Sequence, residues 1–146
     1  MSCTILLVLE EGFNDLSFLT IQTLLEENSH DIIISSSKSD AIKGIESSVM
    51  TVSLDDALNH EIDYKAIILV GGNSLNNWDL LNETLKKFSN ENKLIGAVEN
   101  GVSVLQELGL SNIISTGDDV IFDNSILSLG KPENIENFVE RLISLL

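Results

Sequence analysis

The sequence predicts an α/β fold, a mostly parallel sheet with helices packed on both faces, and three observations predict it. The runs TILLVL (4–9), DIIIS (31–35), AIILV (66–70) and KLIGAV (93–98) are almost continuously apolar, as strands buried on both faces must be. The stretches between them carry apolar residues at helical spacing, and strands alternating with helices demand a parallel sheet. The chain has 146 residues, 43% of them hydrophobic, which suits one packed core and one domain over residues 1–146.

The elements follow in order. TILLVL is the first strand. Asp15 is placed to cap the next helix, in which Phe18, Ile21 and Leu25 share a face and which EENSH closes. DIIIS is a second buried strand, VMTVS (49–53) a weaker third, and LDDALNH a short helical turn. AIILV runs into Gly71-Gly72. Asp79 opens a helix with Leu81, Leu85 and Phe88 on one side, and KLIGAV follows it. Weak strands are expected around VIFD (120–123) and ILSL (126–129). Pro132 suits the first position of a last helix that buries Ile135, Phe138, Val139 and Leu142.

In such sheets ligands bind beyond the carboxyl ends of the strands. Three loops converge there: Glu10 to Ser17, Gly71 to Asn73, and Glu99 to Gly101. The last one is ambiguous. Asn100-Gly101 between apolar runs is a hairpin signal. It also fits a sharp strand-to-helix elbow, because Val102, Leu105 and Leu108 share a helical side and Gly109 stands where a C-cap belongs. The elbow is the better fit, since the alternation calls for a helix next. Unpaired amides opening that helix would make the corner friendly to anions, so a carboxylate at Glu99 would be held ionised.

The charge excludes several functions. The net charge is −15, and only Arg141 and seven lysines oppose 23 acidic residues. Nucleic acid and anionic membrane surfaces are therefore not expected partners. Cys3 is the only cysteine, so no internal disulfide can form and no zinc cluster is spelled out. No metal or cofactor is expected. Asp118-Asp119 lacks calcium-loop spacing, there is no nucleotide fingerprint, and Gly71-Gly72 alone is a weak phosphate-loop signal. With no secretory leader and no long apolar run, a cytoplasmic location is expected. Cys3 reads as a small buried or edge residue, His30 and His60 as surface residues, and Trp78 as a packing or interface residue. Glu10 and Glu11 are expected to turn to solvent.

The segments ILLVLEEGFNDLSFLTIQTLLEE, DYKAIILVGGNSL, KLIGAVENGVSVLQELGL and IFDNSILSLGKPENIENFVERLISLL resemble, in order and over nearly the whole chain, the ThiJ/PfpI superfamily of class I glutamine amidotransferase relatives. The resemblance implies a flavodoxin-like three-layer sandwich, often a homodimer. It also implies a nucleophile elbow, usually Ala-Ile-Cys followed by a small or polar residue and glycine. Here the elbow reads Ala97-Val98-Glu99-Asn100-Gly101, so Glu99 stands at the cysteine position. The glutamate that often partners that cysteine on the first helix falls at Ser17. Oxyanion-hole amides fall at Gly72 and Asn100, with Gly71 and Gly101 as supporting turns. The histidine that often follows the elbow is missing, and the segment after Thr116 is short, which removes part of the usual lid.

Three readings are open. In the first, the protein is a non-catalytic relative with a binding, regulatory or stress-related role and an unidentified small-molecule ligand at most. Glu99 then accepts hydrogen bonds from Ser17 and from the helix-opening amides, and imitates the sulfinate that a cysteine becomes on oxidation. In the second, it is a small hydrolase or lyase using Glu99 as nucleophile or base. In the third, it is a dimeric interaction module whose vestigial pocket is packed shut.

Overall fold

The structure, a computed structural model, describes residues 3–59, 61–73 and 75–146; His60 lies outside the described residues. Among the described residues nine strands run as β1 (Thr4–Leu9), β2 (Asp31–Ser36), β3 (Ala41–Lys43), β4 (Ser48–Met50), β5 (Val52–Ser53), β6 (Tyr64–Gly71), β7 (Leu94–Val98), β8 (Ile121–Asp123) and β9 (Ile126–Leu129). Seven of them form one sheet in the order β5-β2-β1-β6-β7-β9-β8. Every neighbouring pair in it is parallel except β8 and β9. β3 and β4 form a separate antiparallel pair.

The helices are α1 (Asp15–Glu27), α2 (Leu54–Asn59), α3 (Asp79–Asn90), α4 (Asn100–Leu108) and α5 (Ile135–Leu145). Alternation along β1 sorts the core. Ile5, Leu7 and Leu9 face Phe18, Ile21 and Leu25 of α1 and Phe138, Val139 and Leu142 of α5. Leu6 and Val8 face the other layer, where Leu54 of α2, Leu85 of α3 and Leu105 of α4 pack. Both faces of the central strands are therefore dry, which is why β1, β6 and β7 carry no polar alternation. Burying each such side chain contributes about 1.5–3 kcal/mol. Gly96 lets α5 close on the sheet, since a Cβ there would stand 3.2 Å from Phe138 Cζ and 2.7 Å from Ile68 Cδ1. The sheet with helices on both faces is the one that the strand and helix pattern predicts, and its three layers are the flavodoxin-like sandwich that the resemblance implies.

Four local readings are corrected. VMTVS is not one strand: Thr51 breaks it, turning its N–H to Asp40 O at 2.9 Å, so β4 pairs with β3 and β5 with β2. The pairing strand Ala41–Lys43 went unforeseen. α1 is capped by Asn14, whose Oδ1 accepts from Ser17 N at 3.1 Å, and not by Asp15. Asp15 instead ties down the β3–β4 turn, accepting from the N–H groups of Glu46 and Ser47 at 2.8 and 3.1 Å. DIIIS is only half-buried over Ile32–Ile34, because β5 covers its outer edge no earlier than Ser35.

His30 is no surface residue. It is 8% exposed, and its Nδ1 accepts the N–H of Cys3 at 3.1 Å. Pro132 opens a single 3-10 turn, Pro132–Asn134, that leads directly into α5. Among the described residues no helix is long and apolar enough to cross a membrane.

Candidate functional site

The carboxyl ends of β1, β6 and β7 meet at one edge of the sheet, and their loops are stitched together there. Glu10 N donates to Gly71 O at 3.0 Å, and Asn73 N donates to Glu11 O at 2.7 Å. Gly71 and Gly72 have φ of 131° and 134°, a region open to glycine. At Gly72 the close approach also demands it, since a Cβ would stand 2.6 Å from the Glu10 carbonyl oxygen.

Between β7 and α4 the chain turns an elbow, not a hairpin. Glu99 sits at φ 53°, ψ −123°, donates its N–H to Leu129 O at 2.9 Å and accepts Val102 N at 3.1 Å. A non-glycine residue held there costs about 1–3 kcal/mol. Gly101 allows it, because a Cβ at that position would lie 2.8 Å from both Leu69 Cβ and Leu69 O. Gly109, at φ 66°, ends α4 as a left-handed C-cap.

The Glu99 side chain is half-buried and makes no capping bond to α4. Its pKa is raised, chiefly by burial; the Asn14 side-chain amide opposes this, and the nearby Glu133 carboxylate adds to it. The Ser17–Glu99 hydrogen bond expected from the sequence is not formed. Ser17 Oγ is fully buried and has no hydrogen-bond partner among the described residues. Asn14 takes the bridging place, accepting from Ser17 N on one side and facing Glu99 on the other.

Asn100 does not leave Gly72 free. Gly72 N donates to Asn100 Oδ1 at 3.1 Å, and Asn100 Nδ2 donates back to Gly72 O. Of the two amides expected at an oxyanion hole, that of Gly72 is thus already engaged by a side chain. Glu10 also departs from expectation. It is 7% exposed rather than solvated, and accepts Ser37 N at 2.6 Å and Ser37 Oγ at 3.1 Å. Glu11 stays exposed and accepts Lys43 N.

The site therefore offers one half-buried carboxylate, a second carboxylate from Glu133, and the amides of Asn14 and Asn100. Among the described residues no imidazole or thiol joins them, because Cys3 and His30 stand at the opposite, amino ends of β1 and β2. Among the described residues no cluster of three or more His, Cys, Asp or Glu could hold a metal ion. A depression of about 260 Å³ passes Glu133 between Leu16 and Pro132, but Glu99 does not line it. Asn14 and Glu133 escaped the sequence reading. The first had a signal, an Asx residue just ahead of an apolar helix; the second had none, being 34 residues from the elbow.

A sequence model described as the DJ-1/PfpI family matches residues 3–143. No curated protein matches the sequence. Among solved structures the chain is similar to Drosophila melanogaster DJ-1beta, at 16% identity and a TM-score of 0.89, covering 100% of this chain and 91% of that one. It is similar to an oxidised Toxoplasma gondii DJ-1, at 19% identity and a TM-score of 0.85, covering 98% and 90%. It is similar too to a ThiJ/PfpI domain protein from Brachyspira murdochii, at 18% identity and a TM-score of 0.80, covering 97% and 95%.

Proposed function

Because this chain belongs to the DJ-1/PfpI family, we propose that it is a non-catalytic member in which Glu99 stands at the nucleophile-elbow position and the site serves binding or regulation rather than turnover. The observation that carries this reading is the engagement of Gly72 N by Asn100 Oδ1 at 3.1 Å. Acyl chemistry needs a free donor aimed at the developing oxyanion, and losing one donor costs about 10²–10³ in kcat. Here one of the two expected donors, Gly72 N, is spent, and among the described residues no histidine stands by to move a proton. A carboxylate at Glu99 also carries the charge and shape of an oxidised cysteine, so the corner keeps permanently the form a thiol reaches only by oxidation.

The experiment compares the wild-type chain with Glu99→Gln for turnover of methylglyoxal, activated esters and short peptides. No turnover is expected from either protein. Reproducible turnover by the wild type that disappears in Glu99→Gln would establish carboxylate catalysis instead. Homodimer formation belongs to the same reading. It is supported by Leu16 and Leu19, which stand 69% and 51% exposed on α1, and light scattering at micromolar concentration tests it.

A further inference from the structure

The two edges of the seven-stranded sheet are finished differently. β8 closes one edge with three residues, and Arg141 lies 5.7 Å over the Phe122 ring there. At the other edge, β5 covers only Ser35 and Ser36 of β2. Asp31 N donates inward to Cys3 O at 2.8 Å, so by the alternation of a parallel strand Ile32 and Ile34 turn their backbone groups outward. The open stretch Asp31–Ile34 spans about 13 Å at roughly 3.3 Å per residue. It carries no lysine, proline or bulge, the usual protections of an edge.

Beside it is a shallow apolar groove of about 330 Å³, floored by Ile32, Ile33 and Ile34 and walled by Met50, Thr51 and Val52. Met50 is 69% and Val52 41% exposed. The charge around the groove is lopsided. Over residues 31–40 and 50–56 there are four acids, Asp31, Asp40, Asp55 and Asp56, against the single base Lys38. Asp31 marks one end of the open stretch, and Asp40, whose carbonyl accepts the N–H of groove residue Thr51, flanks the groove. A second copy of a chain of net charge −15 would bring the same acids to the same place.

We propose that the β2 edge takes up an extended peptide segment of another protein, β-branched in its middle and basic at its ends, as an added strand. Main-chain bonds to both groups of Ile32 and to the N–H of Ile34 supply the pairing, since the Ser35–Val52 register gives the Ile34 carbonyl to β5; the groove takes alternate side chains, and the flanking aspartates select basic ends.

Fluorescence anisotropy with the labelled peptide KTVTVTVK tests this on the full chain. Binding is expected, weakening at least tenfold in each of three comparisons: the same peptide N-methylated at its six central amides, the acidic-ended ETVTVTVE, and the exposed-site variant Met50→Lys. Circular dichroism of the variant checks its fold, and the two peptide comparisons leave the protein untouched. Absence of binding, or equal binding of the methylated or acidic-ended peptide, overturns the proposal. So does a sedimentation result in which Met50→Lys dissolves a dimer, since the edge would then belong to a second copy.

Discussion

The side-chain amide of Asn100 closes a two-point ring with the backbone of Gly72, accepting Gly72 N at 3.1 Å and donating Nδ2 to Gly72 O. It does for the β6 and β7 loops what a pair of backbone groups does between strands. It also explains why an asparagine follows Glu99: of the short side chains, only an amide offers acceptor and donor side by side.

Asn100→Ala removes both bonds and is expected to cost about 1–3 kcal/mol, with the lower end favoured where water reaches the freed groups. Asn100→Asp keeps the acceptor but sets a second oxygen against the Gly72 carbonyl, so at neutral pH it is expected to be no better than alanine. Urea unfolding measures both variants, and hydrogen exchange reports the Gly72 amide directly. Unchanged protection of that amide in Asn100→Ala would show that the ring does not hold the loop.

The ionised Glu99 is expected to destabilise the fold at neutral pH. Its folded-state pKa lies above the ordinary 4.5, raised by burial and by Glu133. The folded chain therefore binds the proton more tightly than the unfolded chain, and stability falls as pH rises from below 4.5 through the folded value. Glu99→Gln removes this dependence. The variant is expected to melt higher than the wild type at pH 7 and to lose that advantage at pH 4. A pH series of melting curves decides it, and a wild type that gains on the variant as pH rises would reverse the assignment.

Ser17→Ala is expected to be neutral or to stabilise by up to about 1 kcal/mol, because it deletes a buried hydroxyl that has no partner. Chemical denaturation measures it. A loss greater than about 1 kcal/mol would mean that the hydroxyl is bonded in solution, with Glu99 as the first candidate acceptor.

What the sequence made legible was whatever depends on long periodic runs. β1, β6 and β7 are dry on both faces and advertise it by composition, and the elbow followed from Val102, Leu105 and Gly109 fitting a helix. Short elements gave no such signal. Ala41–Lys43 has three residues, one of them a lysine, and becomes a strand only because Val49 lies opposite Ile42. The site was half legible for a related reason. Backbone corners are dictated locally, so the elbow fell at Glu99 and the close backbone approaches at Gly72 and Gly101. Side-chain partnerships are settled by rotamers and by residues distant in sequence. Hence Ser17 stands alone, Asn14 bridges instead, and Glu10 is buried against Ser37, 27 positions on.

The layering has a consequence for how the protein is made. α1 and α5 cover the same face of the sheet, and α5 is the last described element to leave the ribosome. Until it arrives, Ile68, Val98, Leu127 and the inner side of β1 have only α1 above them. The opposite face is roofed earlier, once α4 emerges. A nascent chain stalled before Ile135 would thus carry a finished layer on one side and a bare aliphatic surface on the other, a natural client for chaperones until the eleven-residue α5 is supplied.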